Sequence, residues 1–395
     1  LGFTVNPDIR RVIFPPIVEI KRLVVGDKAP CGKSYIDLCQ AVPDYPPAPG
    51  LIEQVRKCLS DPATALYTSD EGRLDVRKAV CRRYERIYGV SLVPENICLT
   101  VGASQAFWLA MVTLCTAGDE VIVQVPYYFD FDMALEMMGI QRVYAPFHEA
   151  TGGLPNVEII QQLITPRTRA ILLVTPSNPT GMVIPPDILD CLFDIAEHHG
   201  IALVLDETYS DFVVGGTRPH GLFARDNWGD HFIHIMSFGK TYAITGYRAG
   251  ALVGSKTFMC QALKAHDTMA ICQPAPTQAA LLFGLDHLDA WVATNRQMME
   301  RRHDRFREEF LKPGNPFTLV ASGPFFAWIK HPFPEATGWT VARDLIETAG
   351  LITLPGEIFG PGMSRYLRVA FGNIVEDLIP EAVSRFRGYP PCQRA

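Results

Sequence analysis

The chain has 395 residues, with 36 lysines and arginines against 42 aspartates and glutamates, for a formal net charge of −6. That length passes the usual ceiling for one hydrophobic core, so two lobes are expected; 48% hydrophobic and 20% charged residues fit a globular protein with ample core. The basic residues are scattered, which leaves a nucleic-acid partner without electrostatic support.

The first segment, to about Pro49, carries Pro15-Pro16, Pro43 and Pro46-Pro47 and reads as an extended arm with one short helix near Val18–Val25. Leu74, Cys81, Tyr84 and Tyr88 recur at helical spacing, predicting a helix near Gly72–Tyr88. A strand at Ile97–Val101 then leads through Gly102 into an apolar helix at about Ser104–Leu114. Four more apolar runs have strand length: Val121–Val125, Ala170–Thr175, Ile201–Leu205 and Phe232–Ser237. Helical stretches near Phe131–Met138 and Pro185–His199 separate the earlier ones. Short buried runs alternating with helices predict an α/β fold whose large domain holds a mostly parallel mixed sheet flanked by helices. Ala249–Val253 is expected to return antiparallel. From about Ala290 to Phe310 a charged helix connects to a smaller α+β lobe, with a strand at Phe325–Ile329, a helix at Val341–Ala349 and a strand at Tyr366–Phe371. The expected division is a large domain, residues 46–289, and a small domain made of both chain ends, residues 1–45 and 290–395.

Ten cysteines include no C-x-x-C pair, and several, such as Cys98 and Cys115, sit in apolar runs. They read as small buried hydrophobes or free thiols, Cys392 among them, which favours a reducing compartment. Leu1-Gly2-Phe3-Thr4 shows no basic-then-apolar signal pattern, and no apolar run has membrane-spanning length. A cytoplasmic protein without membrane partners is expected.

Open α/β sheets place ligands beyond the C-terminal ends of their strands, and the chemistry-bearing residues fall there. Asp206 follows the apolar run Ile201–Leu205, where a carboxylate either caps a turn or faces a ring nitrogen. Ser177-Asn178-Pro179-Thr180-Gly181 is by itself a turn, but Asn178 stands 28 residues before Asp206. Gly102-Ala103-Ser104 opens a helix, where free backbone N–H groups suit a phosphate. Ser237-Phe238-Gly239-Lys240, with Arg248 eight residues on, offers a hydroxyl, an amine and a guanidinium around one corner. Burial would lower the Lys240 pKa toward nucleophilic competence; an isolated lysine in a loop would be an ordinary surface residue. His198-His199 and Asp190 fall on a helix face without further metal ligands at suitable spacing, so a solvated face is expected there.

Taken together, S-N-P-T-G, D-E-x-Y and S-x-x-K with arginine eight residues later resemble the fold-type I pyridoxal-phosphate aminotransferases of class I and II, in the aspartate and kynurenine aminotransferase-like branch. The resemblance runs from the proline-rich arm to Phe371. It implies pyridoxal 5′-phosphate on Lys240 as a Schiff base, with the same lysine later shuttling the substrate Cα proton. It implies Asp206 on the pyridinium, Tyr209 and Asn178 on the phenolic oxygen, and Gly102, Ala103, Ser104, Ser237 and Arg248 around the phosphate. In Pro126-Tyr127-Tyr128-Phe129 it places Tyr128 on the cofactor face, with Tyr127 as the alternative. Tyr67 matches a tyrosine that reaches the neighbouring subunit's phosphate, which implies a homodimer. Arg368, rather than nearby Arg365, matches the arginine on the substrate α-carboxylate. The arm Leu38–Pro47 matches a glycine-rich closing segment, but Cys39 and Ala41 stand where glycines are usual, so both are expected to narrow or reshape the substrate pocket. Ile271-Cys272-Gln273-Pro274 matches a further specificity segment.

The reaction that follows is transfer of an amino group between an L-amino acid and a 2-oxo acid by a ping-pong cycle. A β-eliminating lyase on the same fold shares the first proton abstraction and is the alternative. A cofactor-sensing regulator would need a DNA-binding module that the arm is too short to supply, and a dinucleotide-dependent dehydrogenase would need a G-x-G-x-x-G after a strand, which is absent.

Overall fold

Alternating apolar runs become a sheet buried on both faces. The computed structural model describes residues 2–215 and 218–389. Its main sheet has seven strands: β1 (Ile97–Val101), β2 (Glu120–Gln124), β3 (Gln141–Ala145), β4 (Thr168–Val174), β5 (Ala202–Asp206), β6 (Phe232–Ser237) and β7 (Ala249–Val253). They lie in the order β1-β7-β6-β5-β4-β2-β3. Strands β2 to β6 are parallel, and β7 pairs antiparallel with both β1 and β6, as its sequence position predicts.

Side chains alternate along each strand, so each sheet face has its own apolar set. Ile97, Leu99, Ile122, Ile171, Leu173, Leu203 and Leu205 face the helices Pro49–Leu59, Leu74–Tyr88, Pro186–His199 and Ala275–His287. Cys98, Val121, Val123, Ala170, Leu172, Val204, Ile233 and Ile235 face the helices Gly102–Leu114 and Phe129–Met137 and share a core with the C-terminal lobe. That lobe is a four-stranded antiparallel sheet ordered Leu354–Pro355, Tyr366–Val369, Phe326–Lys330, Thr318–Gly323. The helices Asp289–Phe310, Gly338–Ala349 and Ile379–Arg387 accompany it.

The expected strands of the main sheet match to within one or two residues. β3 has no counterpart in the sequence reading because it is an edge strand with polar Gln141 and Arg142 and no buried run. The helices Lys256–Ala270 and Ala275–His287 also had none. The second is apolar on nearly all sides and buried between other helices, so it lacks the one-sided pattern that marks a surface helix. The arm's helix spans Pro16–Lys21 rather than Val18–Val25, and a second short helix, Pro7–Arg11, precedes it. The strand expected to open at Phe325 begins at Phe326, because Phe325 has φ +71° and cannot join a pleated ladder. Among the described residues no helix is long and apolar enough to cross a membrane.

The arm is tied to the C-terminal lobe at several places. Ile36–Asp37 pairs in parallel with Leu351–Ile352. Arg302, buried on the long helix, grips Asp44 with both terminal nitrogens (2.6 and 3.1 Å) and also donates to the Gly372 carbonyl at 3.3 Å. Main sheet and lobe meet most closely where the Ser177–Gly181 turn crosses the end of Thr318–Gly323. A Cβ on Gly181 would lie 2.7 Å from the Gly323 Cα, and one on Gly323 would run into the Gly181 carbonyl. Both obstacles are backbone and cannot swing aside. Gly323→Ala is therefore expected to lower stability by about 1–3 kcal/mol and to weaken cofactor retention by displacing Asn178; a thermal melt with and without added cofactor checks both.

Candidate active site

Strand parity decides which side chains reach the ligand. Asp206 shares its face with Ala202 and Val204, and Ser237 shares its face with Ile233 and Ile235, so both point toward the C-terminal lobe. Register then aligns the strand ends: Val174 lies opposite Asp206, Asp206 opposite Ile235, and Ser237 opposite Gly250. Beyond these ends opens a cavity of about 400 Å³. Asp206, Tyr209, Asn178, Tyr128, Ala103, Ser104, Ser237, Lys240, Arg248, Arg368 and Ala41 all line it. Gly102 stands just behind the wall: it has φ +78°, and a Cβ there would strike the Arg248 guanidinium. A Cβ on Gly250 would lie 2.5 Å from the Gly102 carbonyl carbon, so two glycines let the strand end and the helix start close on each other. Tyr127 lies outside this cavity and lines a different, small one.

Lys240 occupies a short helix, Phe238–Thr241, directly after β6, and its Nζ donates to the Ala41 carbonyl of the arm. Burial lowers its pKa to about 8, and the positive charges of Arg368 and Arg248 add to the effect. Asp206 is buried, and burial pushes its carboxyl up to about 6 against the Thr208 N–H that its Oδ1 accepts at 2.8 Å. Burial likewise raises the Tyr209 hydroxyl. Arg368 extends from the central strand of the small sheet, 1% exposed, between the rings of Phe326 (5.0 Å) and Phe359 (5.3 Å). Its Nη1 donates to Asn178 Oδ1 at 2.9 Å and its Nη2 to the Cys39 carbonyl, while its buried Nε has no partner. Arg365 instead donates to the His331 carbonyl at 2.9 Å and is not part of the cavity wall.

Two expectations are revised. Cys39 does not line the cavity; its thiol is buried, burial pushes it up, and it bears on the site only through the carbonyl that holds Arg368. In the segment Ile271–Pro274 no residue lines the cavity, but buried Gln273 donates to the Thr100 carbonyl at 2.6 Å and the Arg248 carbonyl at 3.5 Å, beneath the cationic end of the site. Tyr67 is 78% exposed and does not line its own chain's cavity. The nine described cysteines are free thiols, and Cys392 lies outside the described residues. His198 and His199 are exposed at the end of their helix, and Asp190 is not among the residues grouped as possible metal ligands.

A second cluster escaped the sequence reading. Glu207, next to Asp206, points through the opposite face of the sheet, where one carboxylate oxygen accepts from Tyr88 Oη, His234 Nε2 (2.7 Å) and His220 Nε2 (3.1 Å). These three residues, Glu207, His220 and His234, bring their ligand atoms within 4.8 Å, as a metal site would. Hydrogen bonding accounts for them differently. The Leu222 N–H donates to His220 Nδ1 at 3.3 Å, which puts the proton on Nε2, and His234 Nδ1 lies 2.7 Å from the Tyr84 hydroxyl. Burial alone would raise the Glu207 carboxyl, but His220 and His234 hold it well below the usual range. A carboxyl with a depressed folded pKa stabilises the fold above its unfolded pKa of about 4.3 and loses that contribution as pH falls. Glu207→Gln should cost about 3 kcal/mol at pH 7, with the gap to the native chain narrowing below about pH 4.3; thermal midpoints across pH 3.5–8 measure it.

The main cavity thus has an acidic end at Asp206 and a cationic, hydroxyl-rich end at Arg248, Ser237 and Ser104, with a low-pKa amine between them. Gly102 and Gly250 leave room at the cationic end that side chains would fill. This donor set, on an α/β scaffold, fits a phosphorylated pyridine aldehyde such as pyridoxal phosphate. A family model described as aminotransferase class I and II matches residues 33–386, and the chain belongs to that family. It is a pyridoxal-phosphate-dependent enzyme that transfers amino groups. It is 28% identical over 380 residues to aromatic aminotransferase ISS1 of Arabidopsis thaliana, covering 94% of this chain and 93% of that one. It is 27% identical to an aspartate aminotransferase of Pyrococcus horikoshii, covering 89% and 90%. The solved aspartate aminotransferase of Thermus thermophilus with maleate superposes with a TM-score of 0.87 at 25% identity, covering 98% and 99%.

Proposed function

We propose that Lys240, Asp206 and Arg368 carry the transfer of an amino group between an L-amino acid and a 2-oxo acid in a ping-pong cycle. The observation behind this reading is that a low-pKa amine, a buried carboxylate and a buried guanidinium converge on one cavity. When bound, pyridoxal phosphate supplies an electrophilic carbon and a ring that accepts the electrons freed at the substrate Cα. Asp206 would pair with the ring nitrogen, whose positive charge would favour the ionised form of the carboxyl. Asn178 and Tyr209 would hold the phenolic oxygen, Tyr128 would stack on the ring, and Ser237, Arg248, Ser104 and the Ala103 amide would hold the phosphate. Lys240 Nζ, neutral in a large fraction of molecules near pH 8, is the nucleophile and takes the proton from the substrate Cα. Arg368 grips the α-carboxylate with its planar fork, exchanging the Cys39 carbonyl for substrate and fixing the Cα–H direction. Ala41, lining the cavity where its carbonyl meets Lys240, closes the arm over the substrate.

We also infer a homodimer in which Tyr67 reaches the neighbouring subunit's phosphate. Tyr67 is 78% exposed and adjoining Leu66 70%, a pair of large side chains that a subunit interface would cover. The free thiols favour a reducing, cytoplasmic compartment. Residues 46–289 form the cofactor-binding domain of this reading, with 1–45 and 290–395 as the small domain.

Lys240→Ala is expected to abolish turnover while retaining cofactor that borohydride no longer fixes to protein. Arg368→Ala should lower kcat/KM for both amino acid and 2-oxo acid by about 100-fold. Steady-state kinetics with mass analysis of the borohydride product checks both, and substantial turnover by Lys240→Ala would show that another group takes the proton. Light scattering should return twice the chain mass.

A further inference from the structure

We propose that the site selects amino donors with neutral, apolar side chains, aromatic ones included, over dicarboxylic donors, and that Trp108, Ile17 and Gln40 form the pocket for that side chain. The inference rests on the reading of the cavity given above as the transamination site.

Charge inventory is the first argument. Among the described residues of one chain, the cations lining the cavity are Lys240, Arg248 and Arg368. Each has work in the reaction: Arg248 at the phosphate end, Lys240 at the reacting carbon, Arg368 at the α-carboxylate. A dicarboxylic donor brings one more carboxylate, which needs a further cation to leave water without a large penalty. Lys21 stands behind the wall, but its Nζ is 3.2 Å from Asp37 Oδ2 and also donates to Gln40 Oε1. It is already neutralised and shielded by Gln40. The acids of the wall, Asp206 and Asp130, have the wrong sign for a carboxylate; Asp130 accepts from the Tyr128 hydroxyl.

The rest of the wall is apolar. Ile17 and Val42 come from the arm, and Phe107 and Trp108 from the first turns of the helix Gly102–Leu114. Phe131 packs on Phe107 with ring centroids 4.3 Å apart, which fixes the floor beside Tyr128. Phe107 and Phe131 are spent on each other, whereas Trp108 and Ile17 are only half buried and have area left to cover. Apolar side chains gain by covering it, and a carboxylate there would lose hydration without a partner.

Rapid mixing of the holoenzyme with phenylalanine, leucine, alanine, aspartate or glutamate, followed by cofactor absorbance, reads the amino-donor half-reaction directly. Phenylalanine and leucine should exceed aspartate and glutamate by at least ~30-fold in kcat/KM; a smaller ratio or the reverse order overturns the proposal and leaves the transamination reading intact. Failure of every donor to convert the cofactor would instead overturn that reading. Trp108→Ala should lower phenylalanine at least ~10-fold while changing alanine less than ~3-fold, a split that a folding defect would not produce. Equal losses for both donors would remove Trp108 from the pocket. Gln40→Arg, which adds a cation to the wall, should raise glutamate at least ~10-fold; no gain would remove Gln40 from the side-chain end.

Discussion

Two consecutive carboxylates at the end of one buried strand organise this molecule. Asp206 and Glu207 follow Leu205 with alternating direction, so one faces the cavity and the other the helical layer behind the sheet. Both are buried, and each is kept by a different means. Glu207 is ionised because three donors converge on one oxygen. Asp206 is held by the Thr208 hydroxyl and backbone N–H, which offset its burial only in part. The first carboxylate faces the cavity with its pKa raised by burial, and the second is a fixed anchor. A shift of the strand by one residue would exchange them and destroy both arrangements.

Charges of the opposite sign follow the same logic. Lys240 and Arg368 are both buried and point their terminal nitrogens at backbone carbonyls of the arm, Ala41 and Cys39 respectively. Carbonyls accept hydrogen bonds without neutralising the cation, so each side chain remains available to an anionic or electrophilic ligand. The Asn178 amide oxygen does the same for the other side of Arg368.

Much of this was legible in the residues themselves. Strand-length apolar runs ending in Asp206 and Ser237, and the glycine before Ala103-Ser104, mark where the ligand must lie, because sheet topology puts strand ends together. What the chain hid depends on contacts distant in sequence. His220 and His234 read as unrelated until β6 lies beside β5 and brings His234 against Glu207. Gln273 belongs to a segment that matched a specificity region only by resemblance, and its amide supports two carbonyls. Trp108 and Ile17 sit 91 residues apart and share a wall that no local pattern announces. β3 was hidden for a plainer reason: an edge strand has no need of continuous apolar residues.

The arm's hold on the site is made by main-chain atoms. Ala41 and Cys39 present carbonyls, Asp44 is clamped by Arg302, and Ile36–Asp37 adds a short parallel ladder. Positions 39 and 41 can therefore exchange glycine for cysteine or alanine without surrendering the contacts that seat the segment. Side chains at these arm positions can change while the Asp44–Arg302 clamp and the short ladder stay in place. One scaffold can thus diversify the amino acids it accepts through a few arm residues, leaving the acid–base chemistry at the strand ends untouched.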